Sequence, residues 1–236
     1  MAAIAHETAP IRASGLRRHG WLLIAAFGAA ILIIMIQVVL YPELDAQLRA
    51  RAVELGHRPP LEEYARIQAQ YAPRSTLDTA LTLLIGPLPF GLLAAAVFRI
   101  RQSLPDASTQ RFSGTAWYCA LGALMAWLVV LYLDWGVKAG PDQWPPLVSR
   151  FDQLYDLFGF AASWLGQVAI ICAALAVYKA GIAPRVALAA LIVAALLLLL
   201  DLALAIASGF AAGLPPLLPL LPSLILGIGL ARVRPA

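Results

Sequence analysis

Six apolar runs, several of them of membrane-crossing length, divide this sequence. A helix rises about 1.5 Å per residue, so a hydrocarbon core of about 30 Å needs about 20 predominantly apolar residues. The runs lie at about Trp21–Tyr41, Leu77–Phe98, Thr115–Trp135, Leu157–Tyr178, Pro184–Phe210 and Pro216–Ala231, the last being the least regular. Of the 236 residues, 61% are hydrophobic and 13% are charged. Soluble domains carry about 25% charged residues. The expected class is therefore an all-α integral membrane protein with six transmembrane helices. Residues 1–20 read as an N-terminal tail and residues 21–236 as one membrane domain. The first run is longer than the ~7–15-residue apolar region of a signal peptide, and no A-x-A site follows it, so it reads as an uncleaved span.

Lys and Arg resist transfer across the membrane and set orientation. With the N-terminus inside, the inner segments hold Arg12, Arg17, Arg18, Arg99, Arg101, Arg111, Lys179, Arg185, Arg232 and Arg234, against the acids Glu7 and Asp106. Both termini are expected in the cytoplasm, and a bacterial inner (plasma) membrane is the expected location. Trp21, Trp117, Tyr118, Trp135 and Tyr178 fall near span ends, as an aromatic belt does. Topology thus accounts for the net charge of +4. The expected surroundings are the lipid bilayer, with no nucleic-acid partner.

The first outer loop, residues 42–76, is the largest polar region. "PELDAQLRARAVELG" opens with Pro42 at a helix-start position and closes on Gly56, a suitable C-terminal cap. "PLEEYARIQAQYAP" repeats the scheme, with Leu61, Tyr64, Ile67 and Tyr71 in one stripe. Two short amphipathic helices are expected. They either pack on the bundle as a surface loop or form a docking site for a protein partner. In the second outer loop, "LVSRFDQLYDLF" reads as an interfacial helix that feeds the fourth span.

Several positions break the apolar pattern. Asp201 interrupts "LLLLLDLALA". An acid at a helix centre costs ~2.5–3.5 kcal/mol on insertion scales, so it should face protein or water. Gln167 lies at a similar depth, ~15 Å below the outer boundary against ~12 Å for Asp201, and is its expected partner between spans four and five. Ser163 shares the Gln167 face. "IGPLPFG" places Gly86, Pro87 and Pro89 in the second span, where the helix should kink or open. Pro216, Pro219 and Pro222 recur every third residue, which suits polyproline II, with Ser223 as the cap of a short helix beyond. "RSTLD" supplies Ser75 as an N-cap for the second span. Asp201, Gln167, Ser223, Gly86 and Pro87 form the candidate polar midplane site. The two broken spans do not occupy matching places in two halves, so no transporter-like internal repeat is read.

No catalytic constellation is legible. His6, His19 and His57 lie outside the apolar runs, which disfavours a membrane-embedded haem or chlorophyll, and no zinc spacing occurs. Cys119 and Cys172 sit inside adjacent spans and read as structural thiols. No nucleophile elbow, phosphate-binding loop or dinucleotide motif is present. "EEYAR" departs from the paired-glutamate pattern of CAAX-type intramembrane proteases, having two residues rather than three before its arginine, and no later span supplies a histidine. No cofactor, metal or catalytic residue is expected. The leading expectation is a non-enzymatic accessory or interaction subunit. The alternatives are a small proton- or cation-coupled transporter centred on Asp201 and, more weakly, an enzyme acting on a membrane-embedded substrate.

Overall fold

The computed structural model describes residues 13–56, 59–71, 81–104, 107–137, 148–207 and 218–233. Among them every regular element is helical. The order is α1 (Ala13–Leu40), α2 (Pro42–Leu55), α3 (Leu61–Tyr71), a π-helical turn (Leu81–Ile85), α4 (Leu88–Ser103), α5 (Ala107–Val137), α6 (Val148–Lys179), α7 (Pro184–Ala207), a 3-10 turn (Leu218–Leu220) and α8 (Leu221–Ala231). Five segments are long and apolar enough to cross a membrane: Gly15–Ile36, Leu83–Ser103, Thr109–Asp134, Leu157–Lys179 and Pro184–Ala207. The chain is thus an integral membrane protein by helix length and composition. The described helix of the sixth apolar run, α8, has 11 residues and falls short of a span by itself.

The long helices form a ring. α1 packs against α4, α4 against α5, α5 against α6 and α6 against α7, while α8 lies between α7 and α1 and closes the circle. Small residues make these contacts possible, because they let backbones approach without polar surface to bury. Ala116, Ala120, Ala123 and Ala126 of α5 are buried, as are Ala162, Ala169, Ala173 and Ala176 of α6. The two glycines of "LGIGL" in α8 stand about 200° apart on the helix, and each serves a different neighbour. An ideal Cβ on Gly227 would lie 2.8 Å from the Gly20 carbonyl oxygen of α1. One on Gly229 would lie 2.6 Å from Val186 Cγ1 of α7.

The same contacts fix which helix ends are neighbours. Gly20 approaches Ala231, Gly229 approaches Val186, His19 bonds Ser103, Arg101 covers the Trp117 ring and Lys179 covers the Phe112 ring. The start of α1, the end of α4, the start of α5, the end of α6, the start of α7 and the end of α8 therefore share one end of the bundle. Eight basic side chains lie there among the described residues. The turn from α6 to α7 is tight because Gly181 adopts φ 70°, in the left-handed region. Ile182 N–H donates to Val177 C=O at 3.1 Å and Gly181 N–H to Tyr178 C=O at 3.0 Å. This is a Schellman closure, and buried Val177 and Ile182 supply its apolar contact.

α2 and α3 form a hairpin at the other end. Pro42 occupies the first turn of α2, and Gly56 ends it at φ 71°. Arg51 ties the hairpin together, bonding Glu54 within α2 at 2.6 Å and Glu63 of α3 at 2.5 Å. These bonds, to Glu54 first and then Glu63, hold the guanidinium charged beyond its already high ordinary pKa. α3 packs on α6 and α5, and Tyr64, Ile67 and Tyr71 are half-buried. α6 continues without a break from Val148, so "FDQLYDLF" belongs to the fourth long helix itself.

Two expectations require correction. His19 is not outside the membrane-crossing helix. α1 begins at Ala13, well before the apolar run, because backbone hydrogen bonding continues through polar residues, and His19 is buried beside α4. Ser223 is not an N-cap. The helix starts at Leu221, since Pro222 is tolerated in a first turn that lacks intrahelical donors anyway. The described part of the proline-rich stretch, from Leu218, is therefore helical rather than polyproline II. Ser75 and Pro216 lie outside the described residues.

The candidate polar site between α6 and α7

α7 is the least buried of the five long helices, with 22% of its most apolar window inside the protein, against 56% for α6. Its buried positions are Ala187, Ala190, Ala194, Asp201 and Ala205, at steps of three, four and seven that define one helical face. Leu196, Leu199, Leu200 and Leu202 are exposed around it. In water such a surface would be an aggregation hazard, whereas in hydrocarbon it is the outward face. The acid therefore sits on the narrow stripe where α7 meets protein.

One turn of α6 surrounds its carboxylate. Ser163 O–H donates to Asp201 Oδ2 at 3.1 Å and Trp164 Nε1–H donates to the same oxygen at 3.0 Å. Gln167 Nε2–H reaches it at 3.5 Å and also reaches Ser163 Oγ at 3.4 Å. Asp201, Ser163 and Gln167 are all buried. Residues at i, i+1 and i+4 on a helix fall within one turn of each other, so a single acid on α7 engages three donors on α6. All three donors are neutral. Trp164 donates only, while the serine hydroxyl and the glutamine amide can reverse roles. Gln167 Oε1 is buried with no hydrogen-bond donor among the described residues.

The remaining candidate residues stand elsewhere. Ser223 is buried, but its hydroxyl donates to Leu220 C=O at 2.6 Å and to Leu23 C=O of α1 at 3.4 Å. It links α8 to α1, not to Asp201. Gly86 N–H donates to Leu81 C=O at 3.0 Å, a five-residue step that marks the π-helical turn. The turn at Gly86 and Pro87 then precedes α4. The Gly86 carbonyl accepts from Trp127 Nε1–H of α5 at 2.8 Å. Trp127 also packs against Phe90, with ring centroids 5.5 Å apart. Gly86 thus belongs to an α4–α5 contact, and Pro87 is the residue that leads into α4.

Trp164 and Trp127 carry weight that sequence reasoning missed. The signal was present: a tryptophan in mid-span has an N–H that must find an acceptor once buried. A second polar pair was also missed. His19 Nε2 and Ser103 Oγ lie 2.9 Å apart between α1 and α4, and Ser103 O–H donates to Arg99 C=O at 3.1 Å. His19 Nδ1 is buried with no partner among the described residues. Among those residues no group of three or more His, Cys, Asp or Glu side chains comes together to hold a metal. Compared with protein-family models, curated proteins and solved structures, the chain matches none of them.

Proposed function

We propose that this chain crosses a bacterial inner membrane six times, with both termini cytoplasmic, and serves as a non-enzymatic accessory or interaction subunit. Five spans are of full length, and α8 returns the chain to the end at which α1 begins. The eight basic residues at that end support its assignment to the cytoplasmic side. The observation that carries the accessory role is the binding of Asp201 by Ser163, Trp164 and Gln167. The acid deep in α7 is engaged in fastening that helix to α6. The partner-facing surface is the α2–α3 hairpin, where Val53 is 83% exposed.

A photo-crosslinking residue at Val53, in intact cells, tests the docking role. A discrete adduct with another protein is expected, and its absence at Val53, Glu43 and Gln70 alike would sink it. Orientation is tested separately with Val53→Cys and Arg185→Cys in a background free of Cys119 and Cys172. An impermeant thiol reagent should label the first from outside and spare the second.

A second reading, a small proton- or cation-coupled carrier, is favoured by Gln167 Oε1. A buried acceptor with no donor among the described residues, on the same amide whose nitrogen touches a buried acid, suits a site that exchanges a proton or cation. Reconstituted protein carrying Asp201→Asn decides it. If proton- or cation-linked flux equals that of the wild type, the carrier reading falls.

A further inference from the structure

The two ends of the bundle treat their charges differently. Arg51 on the hairpin is held by two carboxylates. None of the eight basic side chains at the opposite end forms an ion pair among the described residues. Such a concentration of like charge repels itself and attracts anions from its surroundings. In a bilayer, the anions at the end of a spanning helix are lipid headgroups.

One place on this end is built to receive such a headgroup. The Arg101 guanidinium of α4 lies 5.8 Å from the centroid of the Trp117 ring of α5. Phe98 packs on Trp117 from α4 at 5.5 Å, and Tyr118 packs beside it at 5.1 Å. At that distance the ring face attracts the cation without consuming its N–H groups, and a guanidinium's planar fork of donors suits two oxygens of a phosphate. Tyr118 is 65% exposed. Arg111 precedes it by seven residues and is also exposed, so it lies on the same face of α5, about 10 Å nearer the helix start. On the other side of Tyr118 that face continues through the exposed side chains of Leu121, Met125 and Leu128. A charged clasp therefore stands at the foot of an apolar track that faces outward.

We propose that the α4–α5 seam binds an anionic glycerophospholipid. Its phosphate sits between Arg101 and Arg111, its glycerol against Tyr118, and one acyl chain lies along Leu121, Met125 and Leu128. The inference rests on the membrane-spanning architecture and not on the accessory role; the thiol-labelling experiment tests that architecture independently.

The test uses full-length protein in detergent, with lipid retention read by native mass spectrometry. Phosphatidylglycerol and phosphatidylcholine are offered together, and in a separate arm inorganic phosphate is added to protein that has retained phosphatidylglycerol. Wild type should retain phosphatidylglycerol preferentially. R101Q with R111Q should weaken that retention, by roughly fivefold for each charge removed. R185Q with R232Q removes the same charge elsewhere on this end and should leave the preference intact. R101K keeps charge but loses the fork, and should fall between. Each variant is checked for a wild-type elution profile. Equal loss in both double variants would show diffuse attraction and overturn the site. So would equal retention of the two lipids, or displacement of phosphatidylglycerol by inorganic phosphate at matched concentration.

Discussion

Gly227 of α8 and Gly20 of α1 touch backbone to backbone: a Cβ on Gly20 would lie 2.6 Å from the Gly227 carbonyl oxygen and 2.5 Å from Ala231 N. Both obstacles are main-chain atoms, which cannot rotate aside. Gly20→Val or Gly227→Val must therefore push α8 off α1 and open the ring. Overpacking of this kind costs about 1–3 kcal/mol or more. Unfolding in mixed micelles should show a loss of that size, with α8 released to protease. Gly28→Ala and Gly91→Ala are the controls, since a Cβ at either position meets nothing within 4 Å. If the Gly20 and Gly227 variants match those controls, α8 does not close the ring by direct contact.

Substitutions at Asp201 separate shape from hydrogen bonding. Asp201→Asn keeps an acceptor oxygen for Trp164 and Ser163, so it should lose less than about 1 kcal/mol. Asp201→Leu strands Ser163, Trp164 and Gln167 together. Interhelical hydrogen bonds in membranes average ~0.6 and reach ~1.7 kcal/mol, which puts the expected loss near 2 kcal/mol. A double-mutant cycle of Asp201→Leu with Trp164→Phe should show coupling, because each change removes the same bond. Additive effects would mean that the indole contributes nothing to holding α7.

The pairing of Asp201 with Gln167 was legible because a lone acid in a leucine run has few possible partners, and helical rise places one of them level with it. Trp164 was missed because hydropathy counts an indole in an apolar span as bulk; only the acceptor that its N–H needs once buried could have flagged it. The bounds of α2 were written in Pro42 and Gly56, residues whose backbone preferences are local. The Gly20–Gly227 contact and the ring it closes were not, because close approach depends on two segments far apart in the chain. His19 was misplaced for a related reason: hydropathy marks where a span becomes apolar, not where its helix begins.

Trp127 supports the interrupted start of α4. Its indole N–H satisfies the Gly86 carbonyl at 2.8 Å, just where the helical hydrogen-bond register changes. Trp127→Phe retains the aromatic contact with Phe90 but leaves that buried carbonyl without its donor. A lost bond of this type costs about 1 kcal/mol, and more if no water replaces it. Hydrogen exchange should accelerate at Gly86 and Gly91 while the middle of α4 keeps its protection. Uniform acceleration along α4 would show that Trp127 acts through bulk packing instead.

The Arg51 pairs should behave in the opposite manner to the buried contacts. Arg51 bonds Glu54 and Glu63, yet its side chain and that of Glu63 are each about one-third exposed, and Glu54 is 69% exposed. Exposed ion pairs are screened by salt and contribute little to global stability. Arg51→Gln should therefore leave the unfolding midpoint of the bundle unchanged. Its effect belongs to the hairpin, where it removes the charged link between α2 and α3. Backbone exchange at Leu55, Gly56 and Tyr64, where the two helices adjoin, should rise in the variant. In the wild type, high salt should produce part of the same rise. A fall in bundle stability, or exchange indifferent to salt, would place the weight of the hairpin on the packing of α3 against α5 and α6 rather than on Arg51.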